Sequence, residues 1–497
     1  MASIIIQNCN QCELNIPAKY ANKLYNEFSV RHPQSFYLKK RIPNWDGMIH
    51  FINKSGVFRI GLLPKIYNKC KEYGLDVFIE DFRKPVPEVN TQIKSIGNYK
   101  LRPEQIKAVS SVLFNKVGNA NFHIGVINYT VNAGKSLIMS ALYYSFKKKL
   151  KTLLITNDSD WLNQSREEFK QYLPNEDITF VQGGNVKNWS NFSIGMVQSI
   201  SRNIRQYQKE LTSIDMVLVD EADLAGNKSY QQVLTHLYNT RVRIGLSGTI
   251  YMSKLIRDRL KNLNLEAFFG STIAEFRLAE SIKMGYSTKV IVKMVPSKRW
   301  LGNWESDKVD YKDIYDDTIT NNKTSMKIVS DRLEYNLKYG RIPALVVCKY
   351  INHCENLYSY LNEKLAKYKL TIARVHVNTK DKERKRIISD FREGKVDLLI
   401  STTIVARGKN FPLLRYMINA ASMDSQEKSI QFLGRLVRTH ASKNRVYLDD
   451  IQYQGPYLQR HGNHRRIYYQ KEKLKVIQLE KLWKRRTNTR LLQSRKG

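Results

Sequence analysis

Two short stretches carry residue types that could handle a nucleoside triphosphate. In "MVLVDEADLAG" (216–226), a run of apolar residues ends on two adjacent carboxylates, Asp220 and Glu221. Charge at the end of a buried strand is costly unless something there uses it. In "NYTVNAGKS" (128–136), Ala133 and Gly134 leave the backbone open beside Lys135 and Ser136. A tight loop feeding a helix aims its N–H groups, with the helix-end partial charge, at phosphate. Lys135 suits the β- and γ-phosphates, and the Ser136 hydroxyl and Asp220 suit Mg²⁺. Glu221 is placed to polarise an attacking water. Tyr129 occupies the position where such loops usually begin with glycine.

These residues require strands to hold them. From about 95 to 280, β-type runs ("HIGVI", "TLLIT", "ITFVQ", "MVLVD", "RIGLS") alternate with helical patterns. A second series ("PALVVCKY", "IARVHV", "VDLLIST", "YMINAA") occupies about 290–455. Such alternation predicts parallel α/β sheets. The expected fold is α/β: two tandem RecA-like domains at 93–285 and 286–455. They follow a small α+β domain at 1–92, which ends in the proline-bearing linker "RKPVPEVN" (83–90). Residues 456–497, with thirteen Lys/Arg against two Glu, are expected to form a basic helical tail. Its segment 468–490 reads as a basic amphipathic helix with Leu474, Ile477, Leu479 and Leu482 on one side.

Composition narrows the partner. Lys+Arg is 82 and Asp+Glu 45 in 497 residues, a net charge of +37, with 42% hydrophobic residues. That excess favours a polyanion. No apolar run approaches the ~18 residues that cross a bilayer. The start of the chain shows no secretion leader, so a cytoplasmic protein with reduced thiols is expected. Cys9 and Cys12 form a CxxC with no second ligand pair to make a metal site.

The order of motifs resembles superfamily 2 helicases and translocases, in which two RecA-like domains hydrolyse ATP. "LRPEQ" (101–105) resembles the adenine-reading start, with Arg102 and Gln105; Glu104 stands where the family often has Tyr. "NAGKS", from Asn132, resembles motif I and "DEAD" (220–223) motif II. "SGT" (247–249), with Ser247 and Thr249, resembles the coupling motif III. "TIVARGKN" (403–410), preceded by Thr402, resembles motif V with Gly408, although Asn410 replaces the common Asp. "QFLGRLVR" (431–438) resembles motif VI and supplies Gln431, Arg435 and Arg438. The last two are three apart, a spacing that puts both on one helix face. DEAD-box RNA helicases carry His rather than Gln431 and SAT rather than SGT. The closer resemblance is to the phage UvsW-type repair and recombination helicases, through "RIPNWDGMIHFINKSGVFRIGLLPKI" (41–66) and "FFGS…AESIKMGYSTK" (268–289).

That resemblance implies an ATP- and Mg²⁺-dependent enzyme, a single chain acting on branched or forked DNA. An RNA helicase and the motor subunit of a restriction-type system are the alternatives. It also implies nucleic-acid contacts at Gln164, Gly183, Gly184, Gln198, Ser199 and Thr402. Basic residues among aromatics suit phosphate contact plus stacking at Lys39, Lys40, Arg41 and Trp45. Lys484, Arg485 and Arg486 extend the expected contacts into the tail.

Overall fold

The computed structural model describes residues 2–250, 259–297, 310–403 and 411–479, apart from the side chains of Asp160 and Glu427. Three sheets carry the chain. The first combines β1 (Ala2–Ile6), β2 (Gln11–Asn15), β3 (Val57–Arg59) and β4 (Val77–Asp81) in the order β3-β2-β1-β4. Cys12 lies in β2, fully buried and unbridged, so the CxxC serves packing.

The second sheet contains β5 (Ile124–Tyr129), β6 (Thr152–Thr156), β7 (Ile178–Val181), β8 (Phe192–Met196), β9 (Met216–Asp220), β10 (Val242–Ser247) and β11 (Thr272–Phe276). Its order is β7-β8-β6-β9-β10-β5-β11, and every pairing is parallel. The third contains β12 (Lys289–Pro296), β13 (Ala344–Cys348), β14 (Ile372–Val375), β15 (Leu398–Thr402), β16 (Tyr416–Asn419), β17 (Arg445–Gln452) and β18 (Lys475–Gln478). It runs β14-β15-β13-β16-β17-β12-β18, again all parallel. Numbered within each sheet, the two strand orders are identical. The tandem α/β expectation is therefore met, down to a shared RecA-like topology that no sequence repeat discloses.

That duplication corrects the reading of the tail. β18 is the counterpart of β11, the last strand of the preceding sheet, so residues 456–479 complete the third sheet. Lys473 adopts a left-handed backbone (φ 55°), which ends the preceding helix. The β-branched pair Val476-Ile477 then finds hydrogen-bond partners along β12, in register Val292↔Val476. A strand thus replaces the expected amphipathic helix at 475–478. The basic charge is partly spent inside: Arg465 is fully buried and pairs with Asp450 (Nη2 to Oδ1 2.7 Å) while donating to the Met423 carbonyl (3.0 Å). Lys484, Arg485 and Arg486 lie outside the described residues.

The chain forms two compact units: the first runs to Phe276 apart from Thr130–Asn132, which group with the second, from Arg277 onward. Within the first unit the small N-terminal sheet is not a separate body. Its core (Ile4, Leu24, Ile66, Ile79) is continuous with Phe122, Ile124, Leu263 and Ala267. Gly61 makes the seam: a Cβ there would lie 2.1 Å from the Glu266 carbonyl oxygen and 2.7 Å from that of Ala267. Both obstacles are backbone and cannot swing away. Gly61→Ala is therefore expected to lower the melting temperature by roughly 5 °C, the scale of an overpacked core, which differential scanning calorimetry would read.

In the second unit, Glu472 closes the loop after the helix Leu458–Lys471. Its carboxylate accepts from Leu278 N (3.0 Å) and lies 3.4 Å from Arg277 Nη1. Burial pushes it up to about 7 from 4.5, against the lowering effect of the Leu278 bond. The folded state thus holds this proton more tightly than the unfolded chain does. The stability it brings is complete below pH 4.5 and is lost as the pH rises to 7. Glu472→Gln, which keeps an acceptor for Leu278, should raise the melting temperature by ~3 °C at pH 8 and have little effect at pH 5.

Candidate nucleotide site and nucleic-acid surface

Because β5, β10 and β9 are neighbours and parallel, their C-terminal ends share one edge, where open α/β sheets bind ligands. The register is explicit: Asn128 stands beside Ser247, and Asp220 beside Leu246. The loop after β5, the coupling motif after β10 and the acids after β9 are brought together by topology.

The phosphate-loop candidate turns through two left-handed residues, Asn132 (φ 64°) and Gly134 (φ 70°). Gly134 is doubly required: a Cβ there would also come within 2.4 Å of Gln105 Nε2. Ala133 is fully buried beneath the turn. Lys135 and Ser136 open the helix Lys135–Ser145, and Lys135 Nζ donates to the Tyr129 carbonyl (3.2 Å). Tyr129 is a strut. Its ring is fully buried against Phe276 (centroids 5.6 Å), and its hydroxyl donates to the Glu104 carbonyl (2.7 Å). A glycine at this position would give the loop the same path without that attachment.

Gln105 is engaged at both ends: Nε2 donates to the Ala133 carbonyl (2.9 Å), and Oε1 accepts from Arg102 N (2.9 Å). Arg102 pairs through Nε with Glu104 (2.9 Å). Gln105, expected to read a base, therefore also braces the phosphate-loop candidate.

Asp220 ends its strand buried. Glu221 turns abruptly into the left-handed region (φ 54°), so the two carboxylates leave the chain in different directions. Burial raises the Asp220 pKa; Lys135 and the Glu221 N–H oppose this. Sequence reasoning overlooked Asp223, whose Oδ1 accepts from Ser247 Oγ (2.7 Å). Ser247 Oγ is also 3.1 Å from Thr249 Oγ1 and accepts from Thr249 N (3.2 Å). A hydrogen-bonded chain therefore joins the "DEAD" and "SGT" motifs, and the fourth letter of "DEAD" was the available signal. Tyr230 was also overlooked. It is buried, its hydroxyl has no hydrogen-bond partner among the described residues, and its pKa is pushed up by burial and then by Glu221, Asp220 and Asp223. No sequence pattern marks it.

The expected contact loops of the first unit are linked. Gly183 (φ 81°) donates its N–H to Ser199 Oγ (2.9 Å), and Gln198 Nε2 donates to the Asn157 carbonyl (3.3 Å). Gly184 and Gln164 are exposed nearby in sequence, on the loop after β7 and on the helix Ser159–Tyr172. Lys39, Lys40 and Arg41 are exposed. Trp45 is half-buried, donates Nε1–H to the Met48 carbonyl (3.2 Å) and meets His32 edge-on. That bond makes it a turn anchor. The exposed aromatics here are Phe36 (65%) and Tyr37 (70%).

In the second unit, Thr402 ends β15 buried; Gly408 and Asn410 lie outside the described residues. Gln431 and Arg435 share a face of the helix Gln426–Leu436, capped by Ser425 Oγ accepting from Lys428 N (3.2 Å). The expectation that Arg435 and Arg438 share one helix face is not met. The helix stops at Leu436, with Val437 as its cap, and Arg438 belongs to the following segment. The Arg438 carbonyl accepts from Thr288 Oγ1 (3.1 Å), and the Val437 carbonyl from Thr288 N (2.8 Å). Pairing to Thr288 takes the carbonyls that further helix turns would need. Both arginines are half-exposed.

Residues 98–252 match the family model described as type III restriction enzyme, res subunit, and residues 326–440 match the helicase conserved C-terminal domain. The chain is 23% identical over 436 residues to the ATP-dependent DNA helicase uvsW of Enterobacteria phage T4, spanning 83% of this chain and 82% of that one. The ATP-dependent Type ISP restriction-modification enzyme LlaBIII bound to DNA aligns with a TM-score of 0.53 at 14% identity, over 81% of this chain and 33% of that one. Mycobacterium smegmatis helicase Lhr bound to ssDNA and AMP-PNP gives 0.51 at 16% identity, over 75% and 48%. Among the described residues no helix is long and apolar enough to cross a membrane. With both helicase domain models matched in order on a duplicated RecA-like fold, the chain belongs to superfamily 2 of the ATP-dependent helicases.

Proposed function

We propose that the protein is a DNA helicase or translocase that unwinds or branch-migrates forks, junctions and R-loops; its phage T4 relative is named an ATP-dependent DNA helicase. The observation that carries this reading is the shared sheet edge where the phosphate loop, "DEAD" and "SGT" meet, on a chain of net charge +37. Asp220 supports a metal fit: a buried carboxylate whose burial resists ionisation is suited to a divalent cation. The left-handed turn through Gly134 supports a phosphate fit. ATP with Mg²⁺ supplies the phosphoryl group whose transfer to water drives movement.

The residues divide the work. Gly134, Ala133 and Asn132 shape the loop; Lys135 binds phosphate oxygens. Ser136 and Asp220 hold the cation, and Glu221 orients and deprotonates water. Arg102 and Gln105 bind the base side, with Gly408 and Asn410 completing the nucleotide contacts. Gln431, Arg435 and Arg438 neutralise charge on the transferring group. Ser247, Thr249 and Asp223 pass the change to Gln198, Ser199, Gly183, Gly184, Gln164 and Thr402, whose polar groups meet the strand's phosphates. Lys39, Lys40 and Arg41 add phosphate contacts from the N-terminal segment. A restriction-type motor is the second reading, favoured by the family description matched at 98–252.

An unwinding panel decides between them, using forked DNA, a four-way junction, an R-loop and an RNA duplex, with and without ATP. The expected result is ATP-dependent strand separation at least about tenfold faster on branched DNA than on RNA. Separation of RNA alone, or ATP-driven tracking along DNA without separation, would contradict it.

A further inference from the structure

At the entry to β10, Arg241 and Arg243 put two guanidiniums beneath the N-terminal sheet, and Arg83 brings a third from just beyond β4. All three are more than nine-tenths buried, with exposures of 9%, 1% and 8%. Their charges converge on the buried Cys9 thiol, where Asp81 is the one carboxylate that also acts. Asp81 is already committed: Oδ1 accepts from Arg83 Nε (2.8 Å) and Oδ2 from Arg83 Nη2 (2.7 Å). Arg243 Nη2 donates to Asn10 Oδ1 and to the Leu237 carbonyl (2.5 Å). That leaves Nε of Arg243, and Nε and Nη1 of Arg241, buried without a hydrogen-bond partner among the described residues.

Arg241 feels Asp81 electrostatically, but that carboxylate is hydrogen-bonded to Arg83, so among the described residues neither Arg241 nor Arg243 has an acid of its own, which is costly. Each unmet buried N–H costs ~1–3 kcal/mol, and an unpaired charge costs more. A water molecule could take up N–H groups but not the charge. A planar fork of N–H donors matches an oxyanion.

We propose that the arginines at 83, 241 and 243 form a site for a phosphate-class oxyanion, either free inorganic phosphate or sulfate, or one phosphate of a polynucleotide. The site is separate from the nucleotide edge. Arg241 precedes β10, whose other end carries Ser247, and a strand of that length spans ~17–20 Å. Asn10 belongs to the turn between β1 and β2, and its Nδ2 donates to the Thr235 carbonyl (2.9 Å). An anion here would therefore fasten the N-terminal sheet to the first α/β sheet. The inference does not rest on the proposed function.

The test uses the full chain carrying Lys135→Ala, so that phosphate at the loop after β5 does not contribute. Melting temperature is measured in chloride and in sodium phosphate or sulfate at matched ionic strength. A rise of ~3 °C or more with the oxyanion is expected, and it should vanish when Arg241→Met is added. A parallel titration with a fluorescent single-stranded oligonucleotide identifies the source. If a polynucleotide phosphate is the occupant, Arg241→Met weakens binding about tenfold and inorganic phosphate shifts nothing. The proposal is overturned if the Lys135→Ala protein melts identically in all salts and Arg241→Met leaves oligonucleotide affinity unchanged. The salt comparison on the parent protein stands even if Arg241→Met fails to fold.

Discussion

Replacing Lys135 by alanine should lower nucleic-acid-stimulated ATP hydrolysis by roughly 10³-fold, the scale of losing one charge-stabilising donor at a reacting centre. The fold should survive, because the loop is held independently by Gln105 on the Ala133 carbonyl and by Tyr129 on the Glu104 carbonyl. A second effect follows from electrostatics. Lys135 opposes the rise in the Asp220 pKa that burial imposes. Without it, the buried carboxylate is less well compensated, so the ligand-free variant should melt slightly below wild type. A coupled phosphate-release assay and a melting scan read the two effects separately.

The second large effect belongs to Arg435. It sits on the last turn of its helix, half-exposed, four residues from Gln431 on the same face. As a charge-stabilising arginine it should contribute 10³–10⁵ in turnover. Arg435→Ala is therefore expected to abolish measurable hydrolysis while leaving the affinity for a fluorescent ATP analogue within about threefold. Arg438→Ala should behave similarly, but it is a separate experiment. Arg438 lies beyond the helix end, on the segment that Thr288 holds, so the two arginines answer to different supports.

How much of this was legible in the sequence depends on what kind of information each feature carries. The strands bearing the site were visible because both faces are covered, which makes them continuous apolar runs. Lys289–Pro296, Arg445–Gln452 and Lys475–Gln478 were not. Charged residues within the first two (Lys293, Asp449 and Asp450) break the run, and for β18 the hydrogen-bond partner lies nearly two hundred residues away in β12. A basic composition suggested a helical tail that contacts nucleic acid, yet Arg465 and Asp450 satisfy each other in the core. Tyr129 looked like a defect in a glycine loop, because a motif records what the loop must permit and not what else may brace it. Helix spacing assigned Arg435 and Arg438 to one face; Thr288, a hundred and fifty residues away in sequence, takes the carbonyls that would continue the helix. Asp223 was in view as the last letter of "DEAD" but acquires a role only once β9 and β10 are seen to be neighbours. The trio Arg83, Arg241 and Arg243 has no sequence signature, since three separate segments supply the cluster and its surroundings.

The central claim is that the acids after β9 and the loop after β5 form one hydrolytic edge, with binding and water activation assigned to different residues. Glu221→Gln tests it most directly, with ATP-analogue affinity and nucleic-acid-stimulated turnover measured on the same preparation. The expected result is affinity within about threefold of wild type and turnover reduced by roughly 10³-fold. Unchanged turnover in a variant that binds the analogue normally would contradict it.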